Sequence, residues 1–167
     1  MDAKPFANTK EFCAALGWFY AIWSSTELNI DCIIGKLKGT PPEQTHALLA
    51  GLKFSGKLKL LRSLLSESGL PNVAELNEFL ERIENDTLRN TFAHSFLASD
   101  PDSVTFVHRK LDGNKYSCIG YRFAAGGFFT HVQNFAELSH DFEKALGFSR
   151  KEIGEFASWA IKEEKPG

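Results

Sequence analysis

An arginine, an amide and a histidine stand within six residues at Arg89-Asn90-Thr91-Phe92-Ala93-His94. These side-chain types suit chemistry on a phosphate. An arginine holds phosphate oxygens in a planar fork and stabilises charge as it develops. A histidine titrates near neutral pH, so it takes or gives a proton under ordinary conditions. The asparagine can orient either one. Phe92 and Ala93 read as core, and an Arg or His beside them costs desolvation free energy unless it is paired or used. A purely structural reading stands beside this one. Arg89 would pair with a nearby acid such as Glu84 or Asp86, and His94 would close a helix through its dipole.

At about 100° per residue, Asn90 and His94 share a helix face, whereas Arg89 lies roughly 140° from His94. One helix does not readily aim both at one atom. In a two-fold dimer the same patch meets itself, so Arg89 and His94 of two chains converge on a single cleft. A homodimer is therefore expected if the stretch is catalytic.

Two further clusters are candidates for contact with an RNA backbone. Lys53 and Lys57 share a face of the second helix, with Lys59 and Arg62 close by, and Arg109 and Lys110 follow His108 near a hairpin tip. A solvated helix face and a charged edge strand are the competing roles. His131 and His140, nine residues apart, point about 180° from each other, which suits surface or capping roles. Cys13, Cys32 and Cys118 are widely spaced and lack zinc-site spacing. Neither a metal nor a cofactor is expected. The thiols read as reduced, in a cytoplasmic protein.

The elements that must position these residues are mostly helical. The chain has 167 residues, is 43% hydrophobic and contains 15 Phe. That is enough for a packed core in a single domain over 1–167. A formal charge of −2 argues against coating nucleic acid by bulk charge, though a local basic groove remains open. No signal-peptide pattern opens the chain, and the apolar run from Leu16 to Trp23 is too short to span a membrane.

Five capping-box pairs, Asn8/Glu11, Thr40/Glu43, Asn72/Glu75, Thr130/Gln133 and Ser149/Glu152, each precede an apolar-periodic run. Gly39, Gly69 and Gly147 each follow one. The expected helices cover about Thr9–Lys38, Pro41–Ser68, Val73–Leu97, His131–Leu146 and Arg150–Ile161. Asp112-Gly113-Asn114 separates two runs rich in β-branched and aromatic residues, so a β-hairpin is expected over about 104–123. The expected fold is mainly all-α: an antiparallel bundle of about five helices with this hairpin inserted between helices three and four. Trp18, Trp23 and the phenylalanines read as core or dimer interface.

Arg-polar-x-x-x-His near the C-terminal end of a bundle helix resembles the signature of the HEPN superfamily. Arg89-Asn90-Thr91-Phe92-Ala93-His94 matches it, including the polar residue after Arg. The long first helix with Glu27 midway is similar too, and the resemblance covers roughly Phe12 to Ser95 and the fourth expected helix. It implies a dimeric, metal-independent endoribonuclease. His94 would transfer the proton, Arg89 would hold the scissile phosphate, and Asn90 would orient His94 or the phosphate. The RNA 2′-OH would attack the adjacent phosphate, leaving a cyclic phosphate and a 5′-hydroxyl. A toxin, defence or RNA-processing setting is implied, with an antitoxin or other protein as a further partner. The alternative is a non-catalytic HEPN-like module for dimerisation, nucleotide binding or partner binding. In either case Glu27 is a candidate to pair with Arg89 across the bundle.

Overall fold

The computed structural model describes residues 9–159 apart from 101 and 125. The first helix, α1, runs Thr9–Lys38, over the expected span. Gly39 ends it at φ 63°, a left-handed value that glycine adopts without a Cβ clash. Around α1 pack α2 (Pro42–Leu49), α3 (Phe54–Glu67), α6 (Gly127–Leu146) and α7 (Arg150–Ser158). The fourth helix, α4 (Val73–Asp86), lies against α3 and α6. A short helix, α5 (Arg89–His94), leads into an antiparallel sheet of β1 (Ser95–Asp100), β2 (Ser103–Asp112) and β3 (Lys115–Ala124), in the order β1-β2-β3. The molecule is thus mainly helical, with a small three-stranded sheet between helices.

Three boundaries ahead of the hairpin differ from expectation. The expected second helix is two helices, because Ala50 ends α2 and Gly51 follows it. The restart at Phe54 resets the phase, so that Lys57, Leu58, Leu61 and Leu65 face inward. The expected third helix stops at Asp86, and Leu88 takes a left-handed conformation at φ 55°, ψ 23°. A branched residue there costs about 1–3 kcal/mol, so surrounding contacts must hold it. Thr87, just before, is buried, and its Oγ1 donates to the Ile83 carbonyl at 2.9 Å. His131 Nε2 donates to the Thr87 carbonyl at 3.1 Å, a capping role for that histidine. The third difference is β1. Phe92 and Phe96 sit at helical spacing, but Ser95 turns extended (φ −98°, ψ 155°) and the next residues pair with β2, Phe96 opposite Val107 and Leu97 opposite Phe106. The expected hairpin is present, enlarged by this strand.

Of the four capping pairs within the described residues, only Ser149/Glu152 forms a complete box. Thr40 instead bonds Thr45 Oγ1 at 2.8 Å, and Asn72 Nδ2 donates across to the Ala145 carbonyl at 2.9 Å. Thr130 lies inside α6, which starts four residues before the expected His131, behind Gly126 at φ 79°. Asn8 and the end of the last expected helix lie outside the described residues.

One cluster of buried residues joins the helices to the sheet. Phe92 is at its crossing point. Its ring centroid lies 4.9 Å from that of Phe19 on α1, 4.4 Å from Phe106 on β2 and 5.5 Å from Phe128 on α6. A mutated hub of this kind loses both transfer free energy and edge-to-face contacts. Phe92→Ala is expected to lower the unfolding free energy by about 3–5 kcal/mol, read by urea titration of the helical circular dichroism signal. A loss under about 1 kcal/mol would mean that the ring is not a structural hub.

Candidate functional site

The six residues singled out in the sequence form α5 on their own, set off from α4 by the Leu88 turn. Thr91 and Phe92 are buried and anchor the helix, while Asn90 and His94 are exposed. Arg89 is half-buried. Its guanidinium carbon lies 5.3 Å from the centre of the Trp23 ring, within cation–π range. Nη1 donates to Asn90 Oδ1 at 3.1 Å. Arg89 Nε is shielded from solvent and has no hydrogen-bond partner among the described residues. Neither Glu84 nor Asp86 pairs with it: Glu84 takes Arg62 at 2.8 Å, and Asp86 lies 3.9 Å from Arg82. His94 ends α5 in solvent, at the opposite end of the helix from Arg89. At 1.5 Å rise per residue their backbones are about 7.5 Å apart along the axis. Each side chain thus leaves α5 from its own end.

Glu27 does not reach Arg89. It is linked to it through an intermediate ring. Trp23 Nε1 donates to Glu27 Oε2 at 3.3 Å, on the same indole that carries Arg89 on its face. Glu27 Oε1 accepts from Lys57 Nζ at 2.9 Å, and Asp31 Oδ2 accepts from the same ammonium at 2.8 Å. Lys57 is only 7% exposed. The expected pairing of Lys53 with Lys57 on a solvent face is therefore corrected: Lys53 is exposed at the start of α3, and Lys57 is an internal cation shared by two acids of α1. The restart of α3 at Phe54 turns it inward.

Burial pushes the Asp31 carboxyl above its ordinary value, with the Lys57 hydrogen bond partly opposing the shift. For Lys57, burial would depress the ammonium, but the hydrogen bonds it donates to Asp31 and Glu27, with their negative charge, outweigh it and hold the group above its ordinary value.

Arg109 and Lys110 are both exposed on β2, and the Arg109 guanidinium lies 5.4 Å from the centre of the Phe96 ring. Sequence reasoning missed Phe96 as a surface residue because its spacing from Phe92 looked helical. It also missed Trp23 as the seat of Arg89. The only signal was an aromatic on the same helix as Glu27, four residues before it. A depression of about 550 Å3 between α3 and α4 is lined by Arg62, Asn77, Glu78, Glu81 and Glu84 and includes no motif residue. Its acidic lining is unsuited to a phosphate. Among the described residues no group of three or more His, Cys, Asp or Glu is placed to hold a metal, and no helix is long and apolar enough to cross a membrane. No protein-family model, curated protein or solved structure matches the chain.

The Lys57 triad generates a stability prediction. Lys57→Met leaves two part-buried carboxylates without their cation, and is expected to cost about 3–5 kcal/mol near neutral pH. The deficit should shrink as pH falls and the Asp31 carboxyl, already raised by burial, takes up a proton. The raised Lys57 value works in the other direction on the alkaline side. Its contribution is full below the ordinary lysine value of 10.5 and is lost as pH rises through the higher folded value. Wild type should therefore lose stability more steeply than Lys57→Met as pH rises from 10.5 through the folded value, as read by thermal melts across pH. Parallel pH profiles for the two proteins would contradict the assignment.

Proposed function

We propose that the chain is an HEPN-like, metal-independent endoribonuclease acting as a homodimer, with Arg89 of one copy and His94 of the other meeting in a shared cleft. The observation that carries the reading is the condition of Arg89. It is held against Trp23 and Asn90, and among the described residues the nearby acids Glu84 and Asp86 take Arg62 and Arg82 instead, so its charge remains available to an outside anion. A phosphate of RNA supplies that anion.

In this reading Arg89 binds the non-bridging oxygens of the scissile phosphate and stabilises the charge that gathers there. Asn90 fixes the fork of Arg89 through the 3.1 Å hydrogen bond. The 2′-OH attacks phosphorus and gives up its proton, and the bond from phosphorus to the next 5′-oxygen breaks as that oxygen gains one. The His94 of that cleft serves both transfers, taking the 2′-OH proton as a base and then giving a proton to the leaving 5′-oxygen as an acid. The products are a cyclic phosphate and a 5′-hydroxyl. Each copy supplies its Arg89 and its His94 at opposite ends of α5, so two copies are needed for each reacting centre. The mainly helical body around α1 supports placing the motif in a bundle of this superfamily.

A second reading is a non-catalytic HEPN-like module that dimerises or binds a nucleotide or protein partner. The wide separation of Arg89 and His94 on a helix of six residues favours it. Single-stranded RNA incubated in EDTA separates the two. Wild type is expected to yield cyclic-phosphate ends, with His94→Ala and Arg89→Ala each slower by about a hundredfold or more. Identical degradation by wild type and His94→Ala would reject catalysis at this site, and a strictly monomeric species in sedimentation would reject the shared cleft.

A further inference from the structure

The sheet has one face on the helical body and one turned away from it. Val104, Phe106, Tyr121 and Phe123 belong to the inner face and join the core cluster. The alternate residues stand on the outer face. There, Phe96, Val107 and Gly120 form one cross-strand row, and Leu111 and Tyr116 form another nearer the tip. Those two rows are about 13 Å apart along the strands. Phe96 is 48% exposed and Tyr116 64%. Beyond His108 the strand β1 no longer accompanies β2, so the tip is a bare two-stranded ribbon. A solitary ribbon is marginally stable in water, and large apolar side chains on it call for an occupant.

We propose that this outer face is a docking platform for single-stranded RNA, on which bases stack against Phe96 and Tyr116 while Arg109 meets the phosphates. The inference rests on the reading of RNA as the substrate brought to His94. Charge argues for this occupant over a second copy of the chain. On this face the alternation of β2 and β3 places Arg109 and Arg122, whereas Lys110, Lys115 and Asp112 alternate to the other, in a chain whose formal charge is −2. Two such ribbons set face to face would oppose basic side chains, whereas a polyanion neutralises them.

The detail of the face fits stacking. Arg109 lies over the Phe96 ring at 5.4 Å, a pairing that presents both a cation and a π-surface. The Cys118 thiol donates to the Tyr116 hydroxyl at 2.8 Å, which occupies the polar end of the ring. Gly120, in register with Phe96 across β2, leaves the floor of the face bare. A Cβ there would meet Thr105 Cγ2 at 3.3 Å, and a glycine inside a strand suits close approach by a ligand. Chain connectivity does the rest: Phe96 follows His94 by two residues, within about 7 Å of backbone. A strand stacked on the sheet would enter the cleft at His94.

The test separates binding from cleavage by working in the His94→Ala protein. A fluorescein-labelled single-stranded oligouridine is titrated and its anisotropy read at several salt concentrations. Phe96→Leu and Tyr116→Ala, added singly, should each weaken binding about fivefold or more, while Tyr116→Phe should retain it. Arg109→Ala should lower the salt slope by about one. All three positions are exposed, and thermal melts verify that the variants fold. Equal affinity across the set, or no RNA binding by the parent, overturns the platform. So does a change in sedimentation with unchanged RNA affinity, which would make the face a protein interface. The same substitutions in the His94-containing chain keep the two proposals apart. Weakened binding with no cleavage by that chain upholds the platform and rejects the nuclease. Cleavage with an unchanged KM rejects the platform and upholds the nuclease.

Discussion

The packing of the Phe92 ring is the constraint on which the other features depend. Phe92 belongs to the six-residue motif and also to the core, where it touches aromatic rings from α1, β2 and α6. Its seat settles where α5 lies. Its neighbours along α5 must then point outward at whatever angles the helix imposes: Asn90 and His94 go to solvent, and Arg89 goes toward Trp23. The left-handed turn at Leu88 lets α5 leave the axis of α4 and seat Phe92 in the core. Buried hydrogen bonds at Thr87 stabilise the turn. A strained non-glycine residue beside a candidate site is where such strain is commonly held.

Much of this was readable from residue types. The span of α1 and the left-handed glycines at its end and after α6 follow from periodicity and from the tolerance of glycine for positive φ. The hairpin followed from Asp112-Gly113-Asn114 between two β-rich runs. What escaped was decided by long-range contacts. Phe96 continues the spacing of Phe92, and local pattern does not distinguish another helical turn from an extended strand that finds β2 waiting for it. Asn72 and Thr40 are good N-cap residues whose side chains found partners elsewhere. The break after α2 shifts the phase of α3 by a few residues, and that shift alone moves Lys57 from a solvent stripe to an internal ion triad.

The candidate site was legible in composition and only partly in geometry. Helical angles alone separate Arg89 from His94, and the structure keeps them at opposite ends of α5. The acid on α1 was visible as Glu27, but its connection to Arg89 runs through the Trp23 indole, an arrangement no spacing rule announces. The result is a continuous polar path from Asp31 through Lys57, Glu27 and Trp23 to Arg89. It ties the orientation of the arginine to the interior of the helical body. Fixing the donor in advance is what a site for a developing negative charge requires.

The central claim is that one chain holds half a reacting centre. Mixing Arg89→Ala protein with His94→Ala protein, after brief dissociation and reassembly, tests it most directly. Each variant alone lacks one partner in every cleft, while a mixed dimer contains one intact Arg89 facing one intact His94. The account predicts that RNA cleavage, negligible for either variant, returns in the mixture to about a quarter of the wild-type level, since about half the dimers are mixed and each has one of two pairings intact. A mixture no more active than its components, alongside an active wild type, would contradict a site shared between two chains.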